Sequence, residues 1–221
     1  MELPPGASTG RRQDCGPQGG RDASGDGPPG ATRVADLLAV RVLAGPRRLG
    51  PVRLVCVDGP AGSGKTTAAG RLAGCLHDRG VRAAVLHLDD LYAGWRGLEG
   101  SLWARLSVQV LEQLRRGRPG RYERFDWASD RFDGWVDVPV PDVLVLEGCG
   151  SAPRAADPHA TLRVWVEAPR DLRLRRGLER DGEAARAHWL AWMADEQEHF
   201  AREGTRGRAD VHLDAFGMMT P

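Results

Sequence analysis

One residue after an apolar run, Val52 to Val57, the chain carries Gly59-Pro60-Ala61-Gly62-Ser63-Gly64-Lys65-Thr66, which fits GxxxxGK[ST] at every fixed position. An alanine- and leucine-rich segment of helical character opens at Lys65 and Thr66. A buried strand that feeds a glycine-rich loop and then a helix is the context this motif needs. Gly59, Gly62 and Gly64 let the backbone curl until successive N–H groups point at a polyphosphate. The start of the helix adds positive potential at the same place. Lys65 brings a compact ammonium to the β- and γ-phosphates, and the Thr66 hydroxyl is a natural Mg²⁺ ligand. The expected nucleotide cradle is therefore Gly59, Pro60, Ala61, Gly62, Ser63, Gly64, Lys65, Thr66 and Thr67.

Composition sharpens one member of that set. The 221 residues include no isoleucine and no asparagine, and 30 of the 31 basic residues are arginine, as a bias toward GC-rich codons would produce. Lys65 is the single lysine, kept where an ammonium is needed and an arginine would not serve. The same bias strips the arginine content of meaning as a nucleic-acid signal, and 30 carboxylates reduce the net charge to +1, so no nucleic-acid partner is expected. Four cysteines without CxxC pairing point to reduced thiols. No apolar run is long enough for a bilayer and the first twenty residues lack a signal-peptide core. A cytoplasmic protein with no membrane partner is expected; the oligomeric state is not legible.

Residues 1–32 hold eight of the 29 glycines and five of the 15 prolines with few large apolar side chains, the composition of a disordered tail. A lead-in helix is expected from Thr32 to Gly45, carried by Val34, Leu37, Leu38, Ala39 and Val42. Strands are expected at 52–57, 83–88, 143–146, 162–166 and 209–213, and helices at 65–80, 102–116, 169–180 and 183–203. Short apolar strands alternating with helices imply an α/β fold, a three-layer α/β/α sandwich around a mostly parallel sheet of about five strands, with a helical lid. The domain is expected to span 33–214, leaving 215–221 as a C-terminal tail.

Among chains with a phosphate loop, several classes fall away. Guanine selection usually rests on an asparagine-lysine-acid motif, which a chain with no asparagine and one lysine cannot supply. A transporter-type LSGGQ signature is missing, and a remodelling ATPase would need an Asp-Glu pair and a helical lid domain that this length hardly holds. A small-molecule kinase using ATP and Mg²⁺ remains. Asp89 and Asp90 end one strand beside the loop, where an acceptor hydroxyl must be held and relieved of its proton. Glu147 ends another strand and is followed by glycine.

The blocks GPAGSGKTT, HLDDLY (87–92), ERFDW (123–127), VLVLEG (143–148), RLRRGLERD (173–181) and RADV (208–211) follow one another in the order found in the uridine kinase family of nucleoside kinases. The chain resembles that family over about residues 53–214, and more loosely pantothenate kinase and phosphoribulokinase. The resemblance implies that Asp89 is the general base, that Glu147 lies near Mg²⁺ with Thr66 and Asp89, and that Tyr92, Asp126 and Trp127 face the acceptor, an aromatic ring stacking on its base. It also implies that Arg176 and Arg180, on a helix with Arg170, Arg173 and Arg175, stabilise the transferred phosphoryl group together with Lys65. The acceptor implied is a small molecule, uridine or cytidine first, with a pantothenate-like or sugar alcohol as the alternative and a nucleotide-dependent binding protein as the rival class. Two segments depart from the family, AGWRGLEGSLW (93–103) and GEAARAHW (182–189); both lie in its acceptor half. His87 is expected to pack beside its strand end.

Overall fold

The computed structural model describes residues 29–220. Helix α1 (Pro29–Ala44) precedes strand β1 (Arg53–Asp58), helix α2 (Lys65–His77) and strand β2 (Ala83–His87). A segment with two short 3₁₀ turns leads to a helix that is α-helical over α3 (Leu102–Leu106), widens into a π turn over Ser107–Leu111 and closes as α4 (Glu112–Arg115). Strands β3 (Gly120–Asp126) and β4 (Arg131–Val138) form a hairpin, followed by β5 (Val143–Glu147) and β6 (Ala160–Val166). Helices α5 (Arg170–Asp181), α6 (Arg186–Glu203) and α7 (Thr205–Arg208) precede β7 (Val211–Leu213).

Five strands form one parallel sheet in the order β2-β5-β1-β6-β7. Because side chains alternate across a strand, β1 sends Leu54 and Cys56 to one face and Val55 and Val57 to the other, and β5 does the same with Leu144 and Leu146 against Val143 and Val145. One face packs on α1 and α2 through Val34, Leu38, Val42, Leu72 and Leu76. The other packs on Leu88, Leu91, Tyr92, Leu106, Trp189 and Trp192. Each fully buried leucine here is worth about 1.5–3 kcal/mol of burial. From the central β1 the chain goes to β2 at one edge, returns to β5 beside β1 and then crosses to β6 and β7 on the other side, so the loop after β1 emerges at the switch point, where α/β sheets hold ligands.

Three differences from the expected layout have physical causes. The aromatic stretch 121–135 is the β3–β4 hairpin; a register shift between Glu123 and Phe125 breaks the alternation that would have marked it, and its turn uses Asp130 at φ 52° instead of a glycine. The lead-in helix begins at Pro29, inside the segment expected as tail, because Ala31 is buried and Gly30 lies against Met218. The remainder of that tail, 1–28, lies outside the described residues. The C-terminal segment also packs back on the domain: Asp214 accepts from the N–H groups of Phe216 and Met218, and Arg71 donates to the Phe216 carbonyl. Among the described residues no helix is long and apolar enough to cross a membrane.

Candidate phosphate-binding and transfer site

The loop after β1 is shaped by close backbone approach. A Cβ on Gly59, whose φ is 141°, would stand 2.1 Å from the Val166 carbonyl oxygen of β6, so only glycine fits. Gly64 caps α2 in the left-handed region and makes no side-chain cap bond, leaving the first-turn N–H groups of α2 for an anion.

Behind the loop lies a compact group of buried charges. Asp58 is fully buried; its Oδ1 accepts from Gly59 N–H at 2.7 Å and Gly150 N–H at 2.9 Å, and its Oδ2 from Ala152 N–H at 2.8 Å. Burial pushes this carboxyl up, while the backbone donors and Lys65 act in the opposite sense. Lys65 is 7% exposed and donates from Nζ to the Pro60 carbonyl at 2.9 Å, with the Cys149 Sγ at 3.7 Å. Burial works against its ammonium, but the carboxylates of Glu147, Glu196 and Asp58 help to carry its pKa above the ordinary lysine value. Burial drives the Cys149 thiol well up, so it is a neutral donor, to the Gly59 carbonyl at 3.3 Å and Glu196 Oε2 at 3.5 Å.

At the mouth of the loop, hard oxygen donors converge. Parallel pairing of β2 with β5 sets His87 opposite Glu147. Glu147, 2% exposed, takes a hydrogen bond from the Thr66 hydroxyl at 3.2 Å on the same Oε1 that contacts His87 Nδ1 at 2.5 Å. The hydrogen bond with Glu147 raises the His87 pKa above its ordinary value, with burial opposing. His87, expected to pack beside its strand end, makes a specific contact there with Glu147. A hydroxyl and a carboxylate meeting beside a lysine form a donor set that fits Mg²⁺.

Asp89 sits in the 3₁₀ turn Leu88–Asp90, two residues beyond the His87–Glu147 pair, and its carbonyl accepts from Trp127 Nε1 at 3.0 Å. Asp90 Oδ2 instead accepts from the Tyr122 hydroxyl of β3 at 2.9 Å. Trp127 packs edge-on against Phe125 and Trp95, with centroids 5.4 and 5.9 Å away. Two residues expected to face the acceptor have partners within the fold. The Tyr92 ring is buried edge-on against Trp192 and its hydroxyl donates to the Cys149 carbonyl at 2.9 Å, so it serves the core. The Asp126 carboxylate accepts from Ala128 N–H at 3.1 Å and the Ser129 hydroxyl at 2.5 Å, contacts that close the hairpin turn and hold its pKa below the ordinary carboxylate value.

The two segments that depart from the uridine kinase pattern pack on each other. Trp95 stacks on His188 at 5.2 Å and 15°, and meets Trp189 and Trp192 edge-on. Glu99 pairs with His199 and Arg202 of α6. Of the expected lid arginines, Arg176 reaches the loop, donating to the Gly62 carbonyl at 3.1 Å and the Ala215 carbonyl at 3.3 Å. Arg180 does not: its guanidinium forks onto Asp181, whose other contact is Trp189 Nε1 at 2.9 Å. The residues that the sequence did not single out are Asp58, Cys149, Arg173 and Glu196. Arg173 shares a helix with the arginines that were, and Asp58 directly precedes the loop motif.

Loop and sheet order together define an α/β fold with a phosphate-binding loop after its central strand β1. Among solved structures, the chain is similar to a protein assigned as a possible uridine kinase from Bacillus stearothermophilus, with TM-score 0.62 and 22% identity over 82% of this chain and 98% of that one. It is also similar to one assigned as a fructose transport system kinase from Silicibacter sp. TM1040, with TM-score 0.60 and 24% identity over 81% and 98%. Neither a family model nor a curated protein sequence matches the chain. At these identities the likeness concerns the fold.

Proposed function

We propose that the protein is a kinase that transfers the γ-phosphoryl group of ATP to a hydroxyl of a small molecule, a pyrimidine nucleoside being the leading acceptor. The observation that carries this reading is the convergence of three elements: Lys65 inside the loop, Thr66 against Glu147 at its mouth, and Asp89 two residues past the strand position that faces Glu147. Thr66 and Glu147 would hold Mg²⁺, which when bound neutralises charge on the phosphates. The loop N–H groups orient the polyphosphate, and Lys65 and Arg176 meet the charge that spreads over the phosphoryl oxygens during transfer. Asp89 takes the proton of the acceptor hydroxyl at a carboxylate oxygen, and Trp127 fixes the Asp89 backbone by its hydrogen bond.

A sugar or another small alcohol is the second reading for the acceptor. It is favoured by Tyr92 and Asp126 being engaged within the fold and by the replacement of both acceptor-half segments. The resemblance of the chain to nucleoside kinases and the Trp127–Phe125–Trp95 aromatic wall support the nucleoside. The test is ADP formation in a coupled assay over uridine, cytidine, fructose, pantothenate and a no-acceptor control, each with wild type and Lys65→Arg. Stimulation by one acceptor, lost in the variant, is expected. Equal ADP release with and without every acceptor would remove the kinase reading in favour of a nucleotide-dependent binding protein.

A further inference from the structure

Glu196, in the middle of α6, is 1% exposed and is, with Asp58, a carboxylate buried behind the loop that lies outside the expected site. It does not pair within its own helix. Its Oε2 accepts from the backbone N–H of Ala61, the third residue of the phosphate loop, at 2.7 Å, across 135 residues of sequence. Its Oε1 accepts from Arg173 at 2.5 Å, and the Cys149 thiol donates to Oε2 at 3.5 Å. Arg173 is itself only 11% exposed at its side chain and also donates to the Ala168 carbonyl at 3.2 Å, at the foot of α5. One turn further along α5, Arg176 lies on the Gly62 carbonyl. The helix backbone is pressed directly on the loop there: a Cβ on Gly62 would stand 2.8 Å from the Arg173 carbonyl oxygen.

A buried ion pair of this kind is not needed for stability, since apolar residues of similar volume usually serve as well. Placing a carboxylate behind an anion-binding loop moreover opposes ligand charge. The pair makes sense if its work is geometric. Glu196 fixes one loop N–H, and through Arg173 it fixes the foot of the helix that carries Arg176.

Resting on the kinase reading above, we propose that Glu196 is a positioning residue for phosphoryl transfer, which clamps Ala61 of the phosphate loop to Arg173 of α5 and so holds Arg176 over the loop. The pair Arg173–Glu196 is close to neutral as a unit. Neutralising Glu196 alone leaves the Arg173 cation unmatched beside the polyphosphate, which favours nucleotide binding while the geometry for transfer is lost. A positioning role therefore separates affinity from turnover, because misplacement of about 1 Å costs up to about 10²-fold in rate.

The experiment uses the full chain and two readouts: titration with a non-hydrolysable ATP analogue plus Mg²⁺, and kcat and KM for ATP with the best acceptor. Binding of the analogue by wild type tests the nucleotide site independently of turnover, so failure of the kinase reading is seen as a wild type that binds but transfers to nothing. With an active wild type, Glu196→Gln is expected to bind the analogue as tightly or more tightly and to lower kcat about tenfold or more. Arg173→Gln should lower kcat similarly, and the double variant should lose no more than the worse single one. Wild-type kcat in either variant overturns the proposal, as does a loss that disappears when rates are scaled to the folded fraction. If Glu196→Gln does not fold, Arg173→Gln alone decides by the same criterion. For a wild type that transfers to nothing, the proposal is overturned as well.

Discussion

Replacing Asp58 by asparagine changes one atom at the base of the phosphate loop, and the surroundings fix what that atom meets. Oδ1 serves Gly59 and Gly150, and Oδ2 serves Ala152 alone. An asparagine oxygen can keep Gly59 and Gly150, but its NH₂ then faces the Ala152 N–H, donor against donor. The opposite amide orientation saves Ala152 and abandons the other two. The cheaper arrangement loses one hydrogen bond to a charged group, about 1.5–3 kcal/mol, and weakens two more by removing the charge, for a total of about 2–4 kcal/mol. With an m-value of about 2 kcal/mol/M, the urea midpoint should fall by about 1–2 M at constant m. Because Gly59 opens the loop and Gly150 and Ala152 lie just after β5, the KM for ATP should rise in parallel. The assay is urea unfolding followed by far-UV circular dichroism and by tryptophan fluorescence, with coincident curves required. An unchanged or higher midpoint would mean instead that burial keeps Asp58 protonated and that these bonds do not depend on its charge.

Asp89→Asn should lower kcat about 10²-fold with the KM for ATP unchanged, whereas Asp90→Asn and Tyr122→Phe should each lower the thermal midpoint and spare kcat, because Asp90 holds the Tyr122 hydroxyl. If Asp90→Asn is the variant that loses turnover, the base is Asp90. The raised His87 pKa means that its contact with Glu147 contributes stability that is full below about pH 6.5, the ordinary histidine value, and is lost as pH rises through the raised value. Thermal midpoints of wild type and Glu147→Gln across that range should differ most at the acid end; a difference that grows toward alkaline pH would contradict the sign. Trp127→Phe keeps a ring on Phe125 but removes the donor to the Asp89 carbonyl, so kcat should fall about 3- to 10-fold, the loss of about one hydrogen bond. Steady-state kinetics at wild-type kcat would reduce Trp127 to a packing residue.

What could be read from the sequence was what local pattern determines. The five strands of the sheet are short apolar runs, and the phosphate loop is contiguous, so its strand, turn and helix announce one another. Glu147 could be picked out as a candidate because a buried strand seldom ends in an acid without a use for it, and Asp89 because it follows a strand beside the loop. Glu196 was not visible, since it looks like any other acid of an amphipathic helix until folding brings it to Ala61. Arg176 and Arg180 are four residues apart and look equivalent, yet Asp181 captures one while the loop and Ala215 take the other. Tyr92 has the side chain of a substrate contact, and only the position of the Cys149 carbonyl turns its hydroxyl inward. The hairpin was hidden by its bulge, and the π turn at Ser107–Leu111 by a helical pattern that continues through it.

Transfer of the terminal phosphoryl group of ATP to a small-molecule hydroxyl can be followed on that group itself. ATP carrying ¹⁸O in the γ-phosphoryl is incubated with Mg²⁺, protein and each acceptor, and the products are resolved by mass spectrometry. One acceptor should gain a labelled phosphoryl group, with ADP and phosphorylated acceptor formed in equal amounts, and Lys65→Arg and Asp89→Asn should suppress the labelled product. Label recovered only as inorganic phosphate, at a rate indifferent to every acceptor, would contradict it.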